Sequence, residues 1–199
     1  MNFKDSARSA DTLSTAIALS QAGDHARSIE LMKEAANTSP GAALPHYLMG
    51  AEYAQLGQMV EAEAAFARAV LLDPNLHMAR FQLGLLQYTE RRVAVAMMTW
   101  KPLSELPESE PLQRFVMGLA ALARDSFDEA RARLLEGIAA NTANSPLNAD
   151  MRMVMAGIDA LPGRTATVAP DDARATQEEA SDSDMHVLLS NYQQQGPAN

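Results

Sequence analysis

His25, His46, His77 and His186 are the side chains best placed chemically to hold a metal or move a proton near neutral pH. Their spacing argues against either use. No two stand four residues apart, the separation that puts two imidazoles on one helix face for a metal, so His46 and His77 read as surface or packing residues. Glu61 with Glu63, and Asp128 with Glu129, fall at turns and helix starts, where carboxylates favour the helix dipole; they are not a paired acid–base couple. A glycine-rich phosphate loop is absent, and no serine or threonine has an identifiable base. The chain has no cysteine, which excludes disulfides and thiolate–metal sites. Arg91 and Arg92 with Lys101 are the one basic concentration, a solvated helix start, and a formal charge of -9 argues against nucleic acid. The reading is therefore no enzyme, no metal and no cofactor. What remains is the chemistry of apolar recognition.

The elements that would position such a surface repeat along the chain. At a 34-residue offset Gly50, Gly84 and Gly118 come into register, with Ala16 one unit earlier. Ala62, Ala96 and Ala130 align with Ser28, and Met32, Phe66, Trp100 and Leu134 with one another. A fixed period of this kind marks a helical repeat array. Residues 43–76 are the best copy: two amphipathic helices joined at Leu56-Gly57 and closed by Asp73-Pro74. Gly50 and Ala62 let those helices cross closely, and Tyr53 and Phe66 fill the space beside the crossing. One such pair leaves an apolar face bare, so units must stack and the ends must be capped.

The pattern Met49-Gly50, Tyr53, Gly57, Ala62, Phe66, Ala69 and Pro74 resembles the tetratricopeptide repeat, with His46 where that family carries a tryptophan. The resemblance implies an all-α, right-handed superhelical array of about four helix pairs, to which the sequence adds a C-terminal capping helix and a disordered tail. Its units are 9–42, 43–76, 77–110 and 111–144, about two thirds of the chain. Residues 1–8 precede the array as an N-terminal extension, and a further helix at 145–161, opened by Ser145-Pro146, caps it, with Met151, Met153 and Met155 covering the last unit. In 9–42 the first helix carries Thr12, Thr15 and Ser20, which suits a face turned to water. Turns are expected at Gly23-Asp24, Arg91-Arg92 and Asp125-Ser126, and Pro102 should kink or shorten its helix.

In the family the first helix of each pair lines the concave side. That face would collect Leu44, Tyr47 and Ala51 from the second unit. From the third it takes Met78, Phe81, Leu85 and Tyr88, and from the fourth Leu112, Phe115, Leu119 and Leu122. The expected partner is a protein, presenting a peptide or helix with apolar anchors in this groove. The competing reading is that several of these side chains are buried between units. Some family members clamp the carboxylate end of a chaperone with lysines, an arginine and asparagines on the same faces. Tyr47, Ala51, Phe81, Leu85, Phe115 and Leu119 stand there instead, so that clamp is missing and binding should respond little to salt. The function expected is an interaction scaffold or adaptor. The alternative is a dedicated chaperone of a secreted or membrane-inserting protein, like the small acidic repeat chaperones of bacterial secretion.

Composition agrees with thin helices in a row: 47% hydrophobic residues but only 5% aromatic. The first ten residues, MNFKDSARSA, lack an apolar core, and no run approaches the roughly 18 residues of a membrane span. A cytoplasmic location is the simplest expectation. Residues 164–184 hold six acids, two arginines and almost nothing to bury, and read as a disordered linker. Within the C-terminal tail 185–199, Val187, Leu188, Leu189 and Tyr192 form a short apolar motif. It reads as a docking peptide, autoregulating the groove or engaging a second partner, or as a frayed end with incidental leucines.

Overall fold

The computed structural model describes residues 3–161, with side chains from Arg8 onward. The linker 164–184, the tail 185–199 and its motif residues Val187, Leu188, Leu189 and Tyr192 lie outside the described residues. Among the described residues all regular structure is helical, in nine α-helices. They divide into two compact units, up to Glu105 and from Leu106.

The first unit holds α1 (Phe3–Gln21), α2 (His25–Thr38), α3 (Leu44–Gln55), α4 (Met59–Leu72), α5 (His77–Thr89) and α6 (Val93–Ser104). These form three hairpins, with α2 packed on α3 and α4 on α5. The second unit holds α7 (Pro111–Leu122), α8 (Phe127–Ala140) and α9 (Ser145–Asp159), the first two paired and α9 lying on α8.

The period seen in the sequence is the period of the backbone. Second helices begin at His25, Met59, Val93 and Phe127, a constant step of 34 residues. Each hairpin turns through one left-handed residue at the same place: Gly23 (φ 82°), Gly57 (φ 72°), Arg91 (φ 63°) and Asp125 (φ 57°). In every case the next residue's N–H reaches back across the turn, as from Gln58 to Tyr53 O (2.8 Å) and from Arg92 to Gln87 O (2.9 Å). This closes the helix end with its terminal carbonyls satisfied. Glycine takes that conformation freely at 23 and 57, whereas arginine and aspartate hold it against steric cost.

Helix crossings explain the aligned small residues. A Cβ at Gly50 would stand 2.5 Å from Phe66 Cδ1, and one at Gly118 2.8 Å from Leu134 Cδ2. At Gly84 it would meet the Trp100 indole, whose Nε1 donates to Phe81 O at 2.9 Å. Met32, Phe66, Trp100 and Leu134, one per pair, are all sealed from solvent. In the first pair, where Ala16 replaces glycine, the Ser28 hydroxyl donates to Ala16 O at 2.8 Å and bridges the helices instead.

Two local expectations need correction. Ser20 does not face water: it is buried, with Oγ unpartnered, while Thr12 and Thr15 bond back to Arg8 O and Asp11 O. Met153 does not cover the last pair, because residues two apart on a helix point to nearly opposite sides; Met151 and Met155 are buried and Met153 is 53% exposed. Helix α1 runs from Phe3 without a break into the first unit. Pro102 stays inside α6, which runs two residues beyond it and has 12 residues against 14 in α2, α4 and α8.

Candidate protein-binding surface

The first helices carry the residues expected in a groove, and their burial divides those residues in two. Tyr47, Ala51, Phe81, Phe115 and Leu119 are enclosed. Leu44, Met78, Leu85, Tyr88, Leu112 and Leu122 are half-buried and reach solvent.

The enclosed set is corrected from contact residue to core for a visible reason. Phe81 stacks on Trp100 with ring centroids 5.9 Å apart, and Tyr47 lies against Phe66 at 6.0 Å. A Cβ on Gly137 would meet the Phe115 ring at 2.5 Å. Each ring therefore belongs to the crossing with its own second helix. The Tyr47 hydroxyl has no hydrogen-bond partner, and burial pushes its pKa up, so it stays neutral.

In the first unit, what remains on α5 is Met78, Leu85 and Tyr88, seven and ten residues along one helix face, with Leu44 on α3. Tyr88 also lies 5.8 Å from the Trp100 ring, which fixes its orientation. On α7, in the second unit, Leu112 and Leu122 are the partly exposed members.

Polar groups flank these helices as fasteners. Glu63 on α4 takes a 2.8 Å contact from Arg92 and a 3.3 Å hydrogen bond from Gln87, whose Oε1 accepts from Thr99 at 2.7 Å. The Arg92 bond holds the Glu63 carboxyl below its ordinary pKa and raises that of Arg92. Arg92 is thus an ion-pair residue joining α4 to the α5–α6 hairpin. Between α2 and α3, His25 Nδ1 lies 2.9 Å from Oε2 of the fully buried Glu52. No sequence signal marks that pair, because its members lie 27 residues apart on different repeats. In the second unit Asn148 Nδ2 donates to Asn141 O at 2.8 Å, and Asn141 Nδ2 donates to Asn144 O at 2.8 Å and to Asn148 Oδ1 at 2.9 Å, seating α9 on α8. His46 is held below the usual histidine pKa by burial and then by Arg68. Among the described residues no three histidines or acids gather as a metal site, and no helix is long and apolar enough to cross a membrane.

Sequence reasoning confined to first helices missed the opposite surface. Val60 and Leu71 on α4 and Met98 on α6 are 70–79% exposed. Their signal was available: Val60 and Leu71, with Ala64 and Ala67, fall on the side of α4 away from Ala62, Phe66 and Ala69.

No protein-family model matches the chain, and no curated protein sequence matches it. Solved structures do. PilF of Pseudomonas aeruginosa is 15% identical with a TM-score of 0.63, over 78% of this chain and 69% of that one. MamA from Desulfovibrio magneticus RS-1, residues 41 to the end, is 16% identical with a TM-score of 0.58, over 76% and 83%. YrrB, described as a TPR protein with an unusual peptide-binding site, is 20% identical with a TM-score of 0.54, over 75% of each chain. With the 34-residue period, the left-handed turns and the glycine crossings, these likenesses settle the architecture: the chain has the tetratricopeptide-repeat fold.

Proposed function

We propose that this chain is a protein-binding scaffold whose first unit takes an apolar peptide or helix on the outward face of α5. The observation that supports this reading is the burial pattern there. Phe81 is sealed, yet Met78, Leu85 and Tyr88 on the same helix keep solvent access, as anchors for a partner must. The charges nearest them, Glu63, Glu90 and Arg92, are paired with one another, so recognition rests on apolar area. The peptide-binding site named for YrrB supports the same use of this fold by analogy.

Panning a random peptide library on the full-length protein tests it. The account expects enriched sequences with two or three apolar anchors and no requirement for a free C-terminus, lost on Leu85→Glu. Enrichment of acidic or basic peptides that ignore Leu85→Glu would overturn it.

A second reading, a dedicated chaperone for a secreted or membrane-inserting client, draws on Val60, Leu71 and Met98, which add apolar surface beyond what one short ligand covers. A client that is insoluble alone and stays soluble on co-expression would favour it, and a client equally stable without the protein would remove it.

A further inference from the structure

Helix α9 exposes the face that earlier first helices cover. At the 34-residue offset Ala149, Arg152 and Met153 correspond to Phe115, Gly118 and Leu119 of α7. Those three are buried, with Gly118 lying under Leu134 and Phe115 against Gly137 of α8. On α9 the equivalent positions, with Ala156 and Ala160, are all exposed, although its other side, Leu147, Met151, Met155 and Ile158, is buried. A first helix is therefore in place with no second helix over it among the described residues.

We propose that residues 185–192 of the same chain cover this face. The chain leaves α9 at Asp159 and continues to Asn199. In that remainder Met185, Leu188, Leu189 and Tyr192 have the spacing of three, four and seven that makes one apolar helical stripe. The connector 162–184 spans roughly 25 Å r.m.s. if it behaves as a flexible coil, and a 15-residue helix is about 22 Å long, so the stripe reaches any part of α9. Charge favours this occupant over a second copy. A twofold pairing centred on Arg152, the middle residue of Ser145–Asp159, would oppose two like charges, whereas the connector 164–184, with six acids against two arginines, carries charge of the sign that suits Arg152. This inference stands apart from the α5 reading and does not need it.

The absence of native cysteine makes the test direct. Full-length protein carrying Met153→Cys and Leu189→Cys, oxidised mildly, should form an intramolecular disulfide at least about tenfold faster than a Leu135→Cys, Leu189→Cys control, whose first thiol lies exposed on α8 of the same unit. Equal rates would overturn the proposal. So would faster coupling of Leu189→Cys to Leu85→Cys, which places the tail on α5, or covalent dimers through Met153→Cys, which place a second copy on α9. Independently, Leu188→Asp with Leu189→Asp should speed amide exchange in α9 and leave α3–α5 unchanged. Unaltered exchange in α9 counts against the proposal.

Discussion

Replacing Gly84 by alanine should destabilise the first unit by about 3 kcal/mol, although alanine is the better helix former. The intrinsic gain is about 1 kcal/mol. Against it, the new methyl would stand 2.5 Å from Cδ1 and Cε2 of Trp100 and nearer still to Nε1. The indole has little freedom to retreat, since it is sealed, stacks on Phe81 and donates to Phe81 O at 2.9 Å. Overpacking of this severity costs about 3 kcal/mol, and the indole hydrogen bond adds about 1 kcal/mol when it is lost. Gly157 is the internal control. It also lies inside a helix, yet a Cβ there meets nothing within 4 Å, so Gly157→Ala should stabilise the second unit by up to about 1 kcal/mol. Urea unfolding measures both, with fluorescence of Trp100, the single tryptophan, reporting the first unit and amide exchange the second. If Gly84→Ala matched wild type within error, the close crossing would not be what draws these helices together.

Arg91→Gly should raise stability by about 1 kcal/mol, and Asp125→Gly by less, since aspartate tolerates the left-handed region better than arginine; denaturation midpoints decide. Tyr47→Phe removes a buried hydroxyl with no partner and should be neutral or stabilising by about 1 kcal/mol; a clear loss would reveal a bond to that oxygen. His46 has a depressed folded pKa, so its contribution is present above the ordinary histidine value and is lost as pH falls through the folded one. Stability should therefore decline as pH drops below about 6.5, and His46→Gln should flatten that part of the profile.

The fold was legible because its determinants are local and recur. Glycines at 50, 84 and 118 mark crossings that any larger residue would force apart, and the 34-residue step reappears in every second-helix start. The turns at Arg91 and Asp125 were legible from register alone, since neither residue announces a positive φ. The candidate surface was only half legible. Helix periodicity puts Phe81 and Leu85 on one side of α5, but whether a side chain on that side is core or surface depends on what its own second helix offers. Trp100 reaches Phe81 and leaves Leu85 half-buried, a fact set by three-dimensional packing. Glu52 with His25, and Glu63 with Gln87 and Arg92, escaped notice because their partners come from neighbouring repeats. Three methionines at a spacing of two cannot share one helix face, so Met153 stays outside while Met151 and Met155 are buried.

The central claim is that α5 binds through Leu85 and Tyr88 rather than through the sealed Phe81. Its most direct test is titration of a library-selected peptide against wild type, Leu85→Glu, Tyr88→Glu and the back-face control Leu71→Glu, at low and high salt. The account predicts at least about tenfold weaker binding, roughly 1.4 kcal/mol, for the two α5 variants, with no change for Leu71→Glu and little salt dependence. Equal affinity for all four proteins, or binding abolished by salt, would contradict it.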